Sequence, residues 1–499
     1  MRSQKEPTRT LTERVIHGSS IIFFFTILTS PLGFFIRVLY SHSLSIEMYG
    51  LFYAVLSFFG FFSLFSDLGF GYSVIYFIPK YLKKKDYATC WNLFRYNQIV
   101  VFLTSIIVIL TLFVSSDWLS KNYFKVNQAG TLIRILCIYY LAGCFVNTLE
   151  KFFIGLQQEI YYSSIEFIRL AFTLLFSLLF WTLKLSTVYY FAYSWAIAYV
   201  LTAMIYSFIA YQNNKLVDKP FYFDKKLLKK MYDFAVPTLL TSGTILLTGS
   251  MDIFFLTLFK GVKEVGIYNI VLPLVAISSI FLSPFKVFFL PLISHFMEDD
   301  KKKVSEIVEM ILKFIPFISF YFVLFTITFP AISIELLFGK KWVAYVELPL
   351  IILSFGYIFV NLTTYFVNII AGMGFVKERL KISIIIAILN IVLSLFLIKI
   401  AGVIGAVVAN SLIYIISVIL YLKFIKSTIS LHLPFRFYFK LFIFGLAFYG
   451  LTHFLKIAPT NWPEFIVYGI LYTGIMALFS LYLKLINKKM IKLVFKRKL

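Results

Sequence analysis

Between Glu47 and Lys80 the chain carries a single charge, Asp67. Drawn as a helix rising 1.5 Å per residue, that run would reach roughly 48 Å, more than the ~30 Å hydrocarbon core of a bilayer. The stretch therefore predicts a membrane span. Lys80, Lys83, Lys84 and Lys85 close it, and basic residues gather beside spans on the cytoplasmic side. The rest of the chain has the same character, with 61% of its 499 residues hydrophobic and 14% charged, too little polar surface for a water-soluble domain. A net charge of +24 would suit a nucleic-acid binder. The Lys and Arg instead fall in short clusters between apolar runs, so nucleic acid is not expected as a partner.

Apolar runs of about 20 residues and their polar breaks predict an all-α polytopic membrane protein with fourteen transmembrane helices. Span 2 is expected at 49–77, span 4 at 131–153, span 7 at 234–257, and spans 11 and 12 at 381–398 and 403–422. An even count puts both termini on one side. The segments on that side carry several times the Lys and Arg of the opposite loops, which predicts that both termini are cytoplasmic. The basic N-terminus leads straight into an apolar run without a small-residue cleavage site, so no cleaved signal peptide is expected. The spans divide into an N-terminal lobe (1–211, spans 1–6), a Lys-rich amphipathic linker on the inner leaflet (212–233), a C-terminal lobe (234–424, spans 7–12) and two extra helices with a basic tail (425–499).

An internal repeat supports the two-lobe division. Glu47-Met-Tyr-Gly50 follows span 1, and Glu264-Val-Gly-Ile-Tyr268 follows span 7, the matching place in the second half. Six-span halves in one orientation are parallel repeats related by an axis along the membrane normal. The charges inside spans keep nearly the same offset: Arg37 lies as far from Asp252, and Asp67 as far from Lys286, as Glu47 does from Glu264, give or take a couple of positions. A charge in hydrocarbon costs at least ~2.5–3.5 kcal/mol, so each needs a partner, water or a function. Two readings stand side by side. Arg37 facing Asp252 and Asp67 facing Lys286 are buried pairs that join the halves. Alternatively all four line a wet cavity, with the cations on an anionic substrate group and the acids taking up H⁺ or Na⁺.

Secondary candidates are Arg134, Asn147, Asn361 and Asn368; Arg134, and Arg169 with Glu166, read chiefly as interfacial anchors. Asn147, Asn361, Asn368, Asn390 and Asn410 are expected to hydrogen-bond between helices. Pro31, Gly33, Pro273, Pro284 and Pro291 are expected to kink or break spans 1 and 8. Cys90, Cys137 and Cys144 read as small buried hydrophobes, and the five scattered histidines give no metal-ligand spacing. No phosphate-binding G-x-x-x-x-G-K-[ST] loop is present, which argues against ATP as the direct energy source. No outer loop carries paired carboxylates, so no catalytic residue is assigned and an enzyme is not expected.

The segment with Glu47-Met-Tyr-Gly50-Leu-Phe, Ser66-Asp67-Leu-Gly69 and Phe77-Ile-Pro79-Lys80-Tyr81 resembles the polysaccharide transport family. Phe234-Ala-Val-Pro237, Asp252 and Val265-Gly-Ile-Tyr268-Asn269 echo the pattern in the second half. That family lies in the multidrug/oligosaccharidyl-lipid/polysaccharide exporter superfamily, beside multidrug extruders and lipid II flippases. The resemblance implies two six-helix lobes with two added helices. It also implies a cell-membrane flippase that moves a polyprenyl-(pyro)phosphate-linked oligosaccharide to the outer leaflet by alternating access. Arg37 and Lys286 would meet the pyrophosphate. The implied partners are membrane lipid, the lipid-linked oligosaccharide and glycan-assembly enzymes, with no cofactor beyond coupling H⁺ or Na⁺. Two other readings remain open: a cation-coupled multidrug extruder, favoured by Asp67 and Asp252, and a membrane-embedded polysaccharide polymerase or ligase.

Overall fold

A computed structural model describes residues 11–63, 65–213, 222–455, 457 and 459–483. The basic N-terminal residues 1–10, most of the linker (214–221) and the basic tail (484–499) lie outside the described residues. Every regular element among the described residues is a helix. By internal contacts the chain divides into Met1–Gly266 and Ile267–Leu499, one helix later than the 211/234 divide read from the sequence.

The first unit holds α1 (Leu11–Ser43), α2 (Ile46–Ser63), α3 (Phe70–Lys83), α4 (Tyr87–Leu119), α5 (Gln128–Gly155), α6 (Glu159–Thr182), α7 (Val188–Asn213) and α8 (Lys225–Lys260). A core of Val74, Ile78, Trp91, Phe94, Leu149, Phe152, Phe153 and Tyr206 joins α3, α4, α5 and α7. Leu227, Met231 and Ala235, at helical spacing on α8, complete it. The sequence reading separated an amphipathic linker (212–233) from span 7, whereas α8 is one helix of 36 residues that joins the end of that linker, from Lys225, to span 7. Asp224 starts it by accepting from the Lys226 and Leu227 amides.

The second unit begins within α9 (Val262–Asp299). It continues with α10 (Lys301–Thr328), the short α11 (Pro330–Phe338), α12 (Val343–Gly372), α13 (Val376–Thr428), α14 (Phe435–Phe454) and α15 (Trp462–Tyr482). The last two helices pack on α10: Phe317, Leu324, Phe437, Leu441, Tyr472 and Met476 form one cluster, and Tyr472 donates its hydroxyl proton to the Tyr321 carbonyl at 2.5 Å.

Twelve described helices are long and apolar enough to cross a membrane. One of them, α13, runs 53 residues and carries a non-helical Gly402 (φ 57, ψ −131) where the sequence separates spans 11 and 12. The chain stays helical through Pro31, Pro273, Pro284 and Pro291, so none of these prolines breaks its helix, and the interruptions fall at glycines. The first is in span 2, which is two helices, α2 and α3, and not the single helix expected.

Candidate functional site

The interruption between α2 and α3 is built by Ser66-Asp67-Leu68-Gly69. Leu68 (φ 48) and Gly69 (φ 82) both take left-handed backbone, a conformation glycine enters without penalty. A Cβ on Gly69 would overlap the Ala235 carbonyl of α8, so no other residue fits. Asp67 Oδ1 accepts the Gly69 amide at 3.0 Å, closing the turn.

A helix interrupted inside a membrane protein must satisfy its freed backbone groups locally. Here hydroxyls do so. Tyr140 of α5 donates to the Phe62 carbonyl at 3.1 Å, and Thr104 of α4 donates to the Ser66 carbonyl.

The second carboxylate oxygen of Asp67 is ion-paired with Lys151 of α5. Both side chains are largely buried, 11% and 15% exposed, and Gly71 leaves the space that the pair fills. The sequence reading set Asp67 opposite Lys286; the structure gives Asp67 a partner inside its own unit, Lys151 of α5. The Lys286 side chain lies outside the described residues.

A cavity of about 230 Å³ opens next to this interruption. Ser63 and Ser66 of the break line one wall, and Gly143, Cys144, Asn147 and Glu150 of α5 line another. Glu166 and Arg169 of α6 face it, with Tyr139, Tyr140 and Tyr199 around them. Arg169 is committed to its surroundings: its guanidinium is ion-paired with Glu166 and stands 4.6 Å over the Tyr199 ring. Formally, two carboxylates and one guanidinium leave the cavity one negative charge, carried by Glu150.

A model of a polysaccharide biosynthesis protein family matches residues 15–297, more than half of the chain. The chain belongs to that family. The match spans α1 through nearly all of α9 and so contains both the interruption and the cavity. An uncharacterized membrane protein of Methanocaldococcus jannaschii is 26% identical over 491 residues, covering 95% of this chain and 96% of that protein. Among solved structures, the lipid II flippase MurJ in an inward closed conformation matches with a TM-score of 0.65 at 16% identity, over 94% of this chain and 99% of that one. An inward-facing multidrug resistance MATE transporter of the MOP superfamily matches at 0.66 and 16%, over 83% and 98%. The fold is thus MurJ- and MATE-like.

In this member of the polysaccharide biosynthesis family, the remaining candidates separate clearly. Arg37 of α1 is half-buried and sits 4.7 Å from the Tyr53 ring. Tyr49, one turn away on α2, packs against Tyr53 with ring centroids 4.8 Å apart. Asp252 is buried on α8. Arg134 pairs with Asp117 at 2.6 Å, both exposed. Asn147 lines the cavity.

Asn361 is fully buried and ties three helices together. It donates to Ser278 (3.1 Å) and Ser319 (3.0 Å) and accepts from Ser279 (2.7 Å). Asn410 donates to Tyr268 at 2.8 Å, while Asn368 bonds within its own helix, to the Thr364 carbonyl. The buried Asn390 amide finds no hydrogen-bond partner among the described residues. Cys90, Cys137 and Cys144 are free and buried, as expected.

Sequence reasoning passed over Glu150 and Lys151, and read Glu166 and Arg169 as anchors. One signal was available: Gly143, Asn147 and Glu150 recur at i, i+4 and i+7, a single helix face. On that face a carboxylate stands at the end of an otherwise apolar span.

Proposed function

We propose that the protein is a flippase or exporter that moves a polyprenyl-(pyro)phosphate-linked oligosaccharide across the cytoplasmic membrane by alternating access, driven by a gradient of H⁺ or Na⁺. One observation carries the reading: a charged cavity beside a broken membrane helix, in a chain that belongs to a polysaccharide biosynthesis family. Size assigns the cavity its part. At about 230 Å³ the cavity holds several waters, an ion or a small ligand, less than a whole oligosaccharide occupies. Its chemistry agrees, because Glu150, Asn147 and the serines of the break are oxygen donors with one net negative charge. This cavity is therefore the coupling site, and Arg37, a cation held within a span by tyrosines, is the candidate contact for the anionic end of the lipid carrier.

A deletion strain is expected to accumulate lipid-linked glycan on the inner leaflet, and the wild-type gene to clear it. Arg37→Ala and Glu150→Gln are each expected to fail to clear it at normal membrane abundance. Glu150→Asp retains part of the activity, because a titratable carboxylate remains. Clearance by both Arg37→Ala and Glu150→Gln at wild-type rate overturns the assignment. The multidrug extruder remains the second reading because the cavity combines a carboxylate with aromatic rings, which favours organic cations. Loss of cationic dye efflux on deletion, with no glycan accumulated, would select it.

A further inference from the structure

Two lysine clusters far apart in sequence come together at one end of the first unit. Lys80 and Lys83 lie in the last turn of α3, with Lys84 and Lys85 just after it. Lys225, Lys226, Lys229 and Lys230 open α8. The two helices lie side by side. Ser73 of α3 donates to the Met231 carbonyl at 3.0 Å, Tyr76 stacks on Phe234 at 4.5 Å, and Gly69 abuts Ala235. The Gly69–Ala235 and Ser73–Met231 contacts, in which one number rises as the other falls, make the helices antiparallel. The same number of residues separates Ser73 from Lys80 as separates Met231 from Asp224, so the end of α3 stands level with the start of α8.

The loop before α8 is clamped to the first turns of α4. The Asp224 amide donates to the Tyr96 hydroxyl at 2.5 Å, and Asn92 donates to the Tyr222 carbonyl at 3.2 Å. All eight lysines are exposed. Among the described residues none is in an ion pair. The two acids closest in sequence are used as helix caps. Asp86 accepts from the Thr89 amide at 3.0 Å, and Asp224 accepts from Lys226 and Leu227 at 2.8 and 3.1 Å. Exposed aromatics ring the lysines: Tyr76, Tyr222, Phe223 and Tyr232.

We propose that this face docks the anionic headgroups of the surrounding bilayer. Location and chemistry both argue for lipid over a soluble anion. The platform is the first stretch of a helix that runs unbroken into the apolar run read from the sequence as span 7 (234–257), which sets it at headgroup depth. Exposed aromatics beside basic residues are what that depth selects. All eight cations are lysines, hydrated point charges on flexible stems that suit a diffuse field of phosphates. A single pyrophosphate is better held by the planar fork of arginine. Binding there gathers α3 and α8 under one sheet of negative charge and so steadies α3 below the Asp67 interruption.

The test uses the full-length protein in a neutral detergent, titrated with phosphatidylglycerol or phosphatidylcholine and followed by its melting temperature. Phosphatidylglycerol is expected to raise the melting temperature and phosphatidylcholine not to, with the rise lost at high salt. In K225Q/K226Q/K229Q/K230Q, and likewise in K80Q/K83Q/K84Q/K85Q, the half-maximal phosphatidylglycerol concentration should increase about tenfold or more. The eight-fold Lys→Arg variant should keep the preference, because charge is what the lipid reads. Equal response to both lipids, an unchanged phosphatidylglycerol response in both glutamine variants, or full displacement by inorganic pyrophosphate would overturn the proposal.

Discussion

At the scale of single residues, Asp67 shows what a sequence can and cannot disclose. That an acid within so long an apolar run must find a partner follows from the cost of a bare charge in hydrocarbon. The partner's identity does not follow, because Lys151 lies 84 residues away at a helix end that looks like a loop. The ion pair is largely buried, and removing one member leaves the other uncompensated, at a cost of about 3–5 kcal/mol. Asp67→Ala and Lys151→Ala are each expected to lower the melting temperature sharply. The double variant should be more stable than the sum of the singles predicts, with a coupling of about 1–3 kcal/mol. Simple additivity in that cycle would mean the pair is not what holds the site.

Asn361 makes the complementary case, since its role as an interhelical bond was legible from residue type alone. Three hydrogen bonds to α9 and α10, at about 0.6 kcal/mol each in a membrane bundle, predict a loss of about 2 kcal/mol for Asn361→Ala. Unfolding of the purified variant measures it.

At the scale of elements, hydropathy located the helices and the break at Gly402 but not the one at Ser66–Gly69. A sliding window of about 19 residues averages over the short Ser66–Gly69 turn. An apolar Leu68 with φ 48 contributes to that average as any leucine does. The prolines leave their helices unbroken for a related reason. A proline inside a membrane helix is tolerated when neighbours satisfy the freed carbonyl, whereas a glycine held at positive φ interrupts the helical backbone, as at Gly69 and Gly402. The repeat was more informative. Its two glycines, Gly50 and Gly266, meet: a Cβ on Gly50 would overlap the Val262 carbonyl and stand 2.8 Å from the Gly266 amide, and one on Gly266 would stand 2.8 Å from the Ile46 carbonyl. Small residues at such a crossing let backbones approach, and adding a methyl there forces them apart. Gly50→Ala is expected to cost more than about 3 kcal/mol, read as lost monodisperse protein on extraction. Gly60→Ala, where a Cβ meets open space, should behave as wild type. Equal recovery of both variants would show that the approach at Gly50 is not required.

At the scale of the whole molecule, the fourteen crossings read from the sequence need two additions to the twelve candidate helices: α8, read as span 7, and a second crossing within α13. Its 53 residues would extend about 80 Å as a straight helix, well over twice the hydrocarbon thickness. A single crossing would also leave Lys377 near one end and Lys426 near the other on opposite faces. The positive φ at Gly402, close to the midpoint, resolves this. It lies in the break that the sequence placed between spans 11 and 12, beside exposed Lys399 and Ile400. Two crossings would return the chain to its starting side, with Lys377 and Lys426 on one face and Lys399 on the other. This is the arrangement the charge asymmetry requires if the termini are cytoplasmic. The three native cysteines are buried, so single introduced cysteines can report position with little background. A membrane-impermeant maleimide applied to intact cells should label Lys399→Cys at once and reach Lys377→Cys and Lys426→Cys only after permeabilisation. Labelling of Lys377→Cys and Lys426→Cys from opposite sides would make α13 a single span, and would remove both the even count and the shared side of the termini that follows from it.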